Sequence, residues 1–253
     1  EAWCNLGALL VQLERYDEGE KALRTAINLR ESYPLAWSNL GVLLKMRGDL
    51  EQAEDAFRRA LEGSPHVVKS WILLGEILED LGRVEDAEKA LRQAIELRPD
   101  DHTIWFELGT LLEHLGRRED AIKAYRSATE REPNFAEAWI RLGDLHTKAG
   151  NLNESYEALR MAVGLSPNNP IGWNDLGQLL MQMNSHKEAE EAFRTAIQQK
   201  IDYSEAWCNL GEVLVVLDKP GEAEDAFLTA IQHNRDNEDA RVKLRTLLES
   251  QGR

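Results

Sequence analysis

A tryptophan recurs every 34 residues along the entire chain: Trp3, Trp37, Trp71, Trp105, Trp139, Trp173 and Trp207. Each is followed three positions later by a leucine (Leu6, Leu40, Leu74, Leu108, Leu142, Leu176, Leu210) and then at once by a glycine (Gly7, Gly41, Gly75, Gly109, Gly143, Gly177, Gly211). Sixteen positions after the tryptophan the residue is small, from Gly19 and Ala53 to Ala189 and Ala223. Twenty positions after it the residue is large: Leu23, Phe57, Leu91, Tyr125, Leu159, Phe193 and Phe227. A period of this length, kept in phase over 253 residues without an insertion, rules out a core gathered around one centre. Each unit must be one supersecondary motif that buries its apolar face against its neighbours, so the core grows along a line.

Within a unit, apolar and small residues at offsets 0, 3, 4 and 7 from Trp lie on one face of a first helix. A second helical stretch follows, such as Ala53 to Leu61. Between them one offset carries Gly48, Gly82, Gly116, Gly150, Asn184 or Asp218, residue types that accept the left-handed conformation ending a helix; only Glu14 departs. Pro65, Pro99, Pro133 and Pro167 then stop the second helix. The tryptophans at a fixed repeat phase read as core residues rather than as a stacking platform.

The pattern Trp-x2-Leu-Gly, then Ala and Pro, at 34 residues resembles the tetratricopeptide repeat over the whole chain. Leu, or His146, stands where that repeat usually has Tyr seven positions after Trp. The resemblance implies an all-α α-solenoid, a right-handed superhelix of seven helical hairpins at 1–34, 35–68, 69–102, 103–136, 137–170, 171–204 and 205–238. Residues 239–253 place Arg241 and Arg245 where Trp and Gly are due but keep Val242, Leu244, Leu247 and Leu248 apolar. They read as a capping helix that covers the last unit.

The formal net charge of −15 argues against nucleic acid, which requires clustered Lys and Arg, and against anionic membrane surfaces. No apolar run approaches the roughly 20 residues that span a bilayer. Cys4 and Cys208 lie at opposite ends of a linear array and cannot bridge; free thiols suit a reducing compartment, and a cytoplasmic location is expected. The chain opens in phase at Glu1 without Met, as a segment of a longer protein would. Nucleophile elbow, phosphate loop and His-Glu-x-x-His motifs are lacking. Carboxylate clusters such as Glu85, Asp86 and Glu88 recur at the start of second helices, where they suit the helix dipole. Neither catalysis nor a metal or other cofactor is expected.

What remains is the first-helix face at offsets −2, 1, 2, 5, 8 and 9, which in the resembled family lines a concave groove. Over seven units it carries eleven carboxylates against Lys45, Lys69, Arg141 and Lys148. Ile72, Phe106 and Ile140 occupy offset 1 in three successive units, ringed by Glu76, Glu79, Asp80, Glu107, Glu113 and Asp144. Either they form an exposed apolar patch for a partner, or they are partly buried against the neighbouring first helix. Asn5, Asn39 and Asn209 stand at offset 2, with Leu73, Glu107, Arg141 and Asp175 interrupting the series. This is a partial likeness to the asparagine ladder of O-linked N-acetylglucosamine transferase superhelices, where such residues grip peptide backbone. The acidic groove fits poorly with the clamp that some family members use for acidic chaperone tails. The expected function is a protein-interaction scaffold taking a peptide or helix that is apolar at its centre and basic or neutral at its flanks. The alternative is a substrate-recruiting or regulatory segment of a larger enzyme, such as a glycosyltransferase, whose catalytic domain lies outside this chain. A monomer is expected, with end-to-end stacking as the route to self-association.

Overall fold

A computed structural model of the chain describes residues 1–252. Among these the secondary structure is entirely helical, in two compact units. The first unit, Glu1–Arg131, contains α1 (Ala2–Gln12), α2 (Tyr16–Leu29), α3 (Pro34–Arg47), α4 (Leu50–Gly63), α5 (Val68–Asp80), α6 (Val84–Leu97), α7 (His102–His114) and α8 (Arg118–Arg131). The second unit begins at Glu132 and contains α9 (Ala136–Ala149), α10 (Leu152–Leu165), α11 (Pro170–Gln182), α12 (His186–Gln199), α13 (Ser204–Val216), α14 (Pro220–His233) and α15 (Glu238–Ser250). Helices pair as hairpins, α1 with α2 through α13 with α14. Within each unit the second helix of a hairpin also packs on the first helix of the next. The α-solenoid of hairpins with a final capping helix is thus the observed architecture.

The hairpin turn is set by backbone conformation. Gly48, Gly82, Gly116 and Gly150 all have positive φ, and so do Asn184, Asp218 and Glu14, the last at φ 59°. Glu14 therefore adopts the conformation of its glycine counterparts, with a Cβ that the left-handed region disfavours. Glu14→Gly is expected to stabilise the first hairpin by about 0.5–1 kcal/mol, the relief of that strain less the entropy of a freer unfolded chain. Urea unfolding with no gain would show that the turn is unstrained.

Packing at the heart of each hairpin joins the glycine four positions after Trp to the large residue of the second helix. A Cβ placed on Gly177 would lie 2.5 Å from the Phe193 ring, and one on Gly109 would lie 2.7 Å from the Tyr125 ring. Phe57, Tyr125, Phe193 and Phe227 are fully buried there, alongside Ala53, Ala121, Ala189 and Ala223.

The phase of the first helices corrects the sequence reading. Their innermost positions are −1, 3, 4, 6 and 7 from Trp: in α3 these are Ala36, Leu40, Gly41, Leu43 and Leu44. Within a unit, a first helix that follows another hairpin is held between its own partner and the second helix before it, so two flanks are buried rather than one. The small residue at −1 takes the closest approach, and the tryptophan beside it is only half-buried, as at Trp37, Trp71 and Trp105. Its indole N–H donates to the carbonyl six residues earlier, at Glu31, Pro65, Pro99, Pro133, Pro167 and Ile201, over 2.7–3.0 Å. Arg59 stacks on Trp37 and Arg131 on Trp105, with the guanidinium carbon 5.0 and 4.7 Å from the ring centroids. The tryptophan is a lacing residue at the joint between hairpins. In α1 it is 46% exposed (Trp3), and Leu6 and Leu9 beside it are exposed as well.

The carboxylates of the second helices do more than face the helix dipole. Glu54 accepts from Arg58 and Arg83, and Glu88 from Arg92 and Arg117, all at 2.5–2.8 Å, tying one second helix to the turn before the next. Glu190 is placed likewise between Arg194 and Lys219. These pairs neutralise much of the acidic charge on that side. Among the described residues no helix is long and apolar enough to cross a membrane.

Candidate inner-face interaction site

In the first unit the polar residues of the first helices form links from one helix to the next. Asn39 Nδ2 donates to Cys4 Sγ over 3.4 Å, and the Ser38 and Ser70 hydroxyls lie 3.0 Å apart. Lys45 pairs with Glu76. Glu79 Oε1 lies 2.8 Å from His114 Nδ1. Glu113 accepts from the hydroxyl of Tyr125 over 2.9 Å. Leu73 is half-buried and, with Asn39, Val42, Lys69 and Ser70, lines a cleft of about 310 Å³ between α3 and α5, floored by Phe57.

The apolar series at offset 1 does not present three equivalent contacts. Ile140 is only 6% exposed and packs where a Cβ on Gly172 would meet it at 3.5 Å, so no ligand side chain reaches it. Ile72 and Phe106 are half-buried; the Phe106 ring lies 5.4 Å from that of Tyr125. Partial burial against neighbouring helices, the bland alternative, describes this row. For Ile140 the cause is the next first helix of the same unit, α11, which packs against α9 at Gly172.

In the second unit Arg141 is exposed and Asp144 pairs with Lys148 over 2.6 Å. Asn209 donates to Asn174 Oδ1 over 2.9 Å. Asn174 in turn donates to Glu205 Oε1 over 3.3 Å, and Gln178 donates to the same oxygen over 3.0 Å. Asn174, Asp175, Gln178 and Glu205 were not singled out from the sequence as site residues. The available signal was a polar residue at offset 1, Asn174, where other units place Ser, Cys, Ile or Phe.

Two carboxyls on these faces are held at raised pKa. Burial pushes Glu107 up to about 7, with Glu76 and Asp101 adding repulsion and Lys45 opposing it. Its Oε2 is buried without a hydrogen-bond partner. Burial likewise pushes Asp175 up to about 7; Asp144 and Glu205 add to it, while the Asn174 hydrogen bond and Lys148 pull the other way. Between the ordinary carboxylate range near 4 and about 7, the unfolded chain has released these protons and the folded chain keeps them. Folding takes up protons across that window, so stability falls as pH rises through it. Melting temperature should therefore be higher at about pH 5 than at about pH 7.5. At the higher pH, Glu107→Gln and Asp175→Asn should each stabilise by about 1 kcal/mol, discounted for their partial exposure. A double variant that keeps the full pH slope would assign it to other groups.

Among the described residues no group of three or more His, Cys, Asp or Glu side chains could hold a metal ion. Cys4 and Cys208 are both buried and unpaired, and burial pushes the Cys208 thiol up to about 12. The site is therefore one of surface, charge and hydrogen-bonding groups.

Three family profiles described as "Tetratricopeptide repeat" match residues 1–66, 44–112, and 115–170 with 174–240. No curated protein matches the chain in sequence. Among solved structures, the C-terminal part of a TPR repeat-containing protein from Cytophaga hutchinsonii is similar at a TM-score of 0.79 and 13% identity, covering 95% of this chain and 99% of that one. PilF of Pseudomonas aeruginosa gives 0.68 at 18% identity, covering 83% and 96%. YrrB, described as a TPR protein with an unusual peptide-binding site, gives 0.63 at 20% identity, covering 74% and 96%. At these identities the likeness is one of fold.

Proposed function

Because the chain belongs to the tetratricopeptide-repeat family, we propose that it is a protein-interaction scaffold whose first-helix faces take a peptide or helix from a partner protein. The observation that carries this reading is the accessible cleft between α3 and α5. It combines an apolar wall at Leu73 and Val42 with hydrogen-bonding groups at Asn39 and Ser38, a composition suited to a peptide with alternating side chains and a polar backbone. The surrounding carboxylates, Glu76, Glu79 and Glu113 in this unit, favour a partner segment with basic or neutral flanks. Their contribution falls mainly on association rate and selectivity, since exposed pairs are worth about 0–1 kcal/mol each. The YrrB likeness adds support from a protein of the same fold that is described as binding peptide.

The test is comparative capture. Immobilised wild-type chain and a Leu73→Asp variant are exposed to the same lysate, and the retained proteins are identified by mass spectrometry. The segment of the retained protein is then titrated as a synthetic peptide. The reading expects the variant to lose affinity by about tenfold or more, from the loss of one buried apolar contact and the cost of setting a charge against an apolar group. Equal capture and equal affinity would move the contact to another surface.

A further inference from the structure

The last hairpin departs from the others on its first helix. At offsets 8 and 9 every other hairpin has at least one polar or charged residue: Val11 and Gln12, Lys45 and Met46, Glu79 and Asp80, Glu113 and His114, Thr147 and Lys148, and Met181 and Gln182. In α13 these positions are Val215 and Val216, which are 44% and 51% exposed. They stand on one side of a cleft of about 320 Å³; Thr246, Leu247 and Ser250 of α15 stand on the other, and the buried Phe227 ring lies at its base. The hydroxyls on the α15 side are already engaged. Thr246 Oγ1 donates to the Val242 carbonyl over 3.0 Å and Ser250 Oγ to the Leu247 carbonyl over 2.6 Å. That side therefore offers a ligand little beyond van der Waals contact.

The rim is charged and unbalanced. Lys243 is paired with Glu212 over 2.7 Å and Asp239 over 2.8 Å, and these bonds hold it protonated well above its ordinary range despite burial. Two carboxylates, Glu212 and Asp239, thus flank one ammonium beside an apolar cleft and leave the rim net negative, an arrangement complementary to an apolar group flanked by positive charge. The volume lies at the low end of the about 300–1,000 Å³ of ligand sites and suits one or two large side chains.

We infer that the cleft between α13 and α15 is an anchor site for a bulky apolar side chain in a basic segment of the partner, and that α15 forms one wall of this site in addition to covering the last hairpin. The inference rests on the interaction-scaffold reading above and assigns it a specific contact.

The probe is a fluorescein-labelled peptide, Lys-Arg-Gly-Leu-Phe-Gly-Arg-Lys, followed by fluorescence anisotropy on the 253-residue chain. The control peptide replaces Leu-Phe by Ser-Ser. The Leu-Phe peptide is expected to bind at least about tenfold more tightly than the control, as burial of one or two large side chains provides. Val216→Asp, at an exposed position that does not disturb folding, should weaken it by about tenfold. Leu228→Asp, at an exposed apolar position of α14 outside the cleft, should leave it within about twofold, the range of surface substitutions. Equal affinity for the two peptides, or equal effects of the two substitutions, overturns the anchor. So does a chain that light scattering finds dimeric and that Val216→Asp makes monomeric, because a second copy is then the occupant. If Val216→Asp has no effect while Glu205→Lys weakens binding, the anchor fails and the first-helix face remains the binding surface. If neither substitution matters and Leu73→Asp captures as the wild type does, both readings fail.

Discussion

Phe193→Ala is expected to lower the unfolding free energy of the second unit by about 3–5 kcal/mol, the range for removing a fully buried aromatic side chain. Phe193 is 1% exposed, and its ring occupies the space left by Gly177, where a Cβ would stand 2.5 Å from the nearest ring carbon. A rigid ring cannot yield at that distance as a flexible chain end could. Gly177→Ala in the otherwise native chain should therefore be destabilising by about 1–2 kcal/mol, the cost of overpacking outweighing the roughly 1 kcal/mol that Ala gains over Gly in a helix. In the Phe193→Ala background the clash is gone, and the same substitution should become neutral or stabilising. The change of sign across this double-mutant cycle is the measurement. Gly75→Ala provides the contrast, because its Cβ would meet Leu91 Cγ at 3.2 Å and Cδ2 at 3.3 Å, a crowding that a shift of a few tenths of an ångström relieves. Guanidinium unfolding in which Gly177→Ala costs the same in both backgrounds would show that the glycine is retained for another reason.

Removing residues 239–253 should cost several kcal/mol at the end of the array. In α15, Ala240 and Leu247 are buried, Leu244 packs on the core formed by α13 and α14, and Leu248 is half-buried. A fully buried Leu contributes about 1.5–3 kcal/mol, which applies to Leu247; the partly buried Leu244 and Leu248 add smaller amounts. Polar groups lock the start of α15. Asn237 accepts from the Ala240 amide over 2.9 Å and donates to Ser204 Oγ over 2.8 Å; Ser204 in turn donates to the Ala230 carbonyl over 2.8 Å. The loss should be local, because a repeat array exchanges energy mainly between neighbours. Hydrogen exchange is the appropriate readout. Amides of α13 and α14 should lose protection by orders of magnitude while those of α3 to α6 change little. Uniform protection across the truncated chain would mean that α15 caps nothing.

Much of this molecule was legible before any coordinates. The 34-residue period identified helical hairpins, and Gly48, Gly82, Gly116 and Gly150 marked their turns because a positive φ is a demand of local backbone geometry that glycine meets most cheaply. The glycine and the large residue sixteen positions later both stood out in the sequence as fixed positions of the repeat, and the structure joins them. Each of these features involves residues within a single repeat, and the repetition displays it seven times.

What the period could not determine was which side of a first helix faces outward. A helix buried on one flank and a helix buried on two have the same spacing of apolar residues, so Trp37 could be assigned to the core and Ile140 to the surface although Trp37 is only half-buried and Ile140 is buried. That assignment depends on the second helix of the preceding hairpin in the same unit, whose approach selects Ala36 or Ile104 for the closest contact and leaves the indole at the joint. The same holds for the charged groups. Glu76 and Glu107 look alike in sequence, yet one meets Lys45 and the other has a buried oxygen without a partner. A side chain's charge is a property of its residue, but its desolvation and its partner belong to neighbours about 30 residues away along the chain. The valine pair of α13 was likewise present in the sequence, and it became a cleft only when α15 was placed across from it.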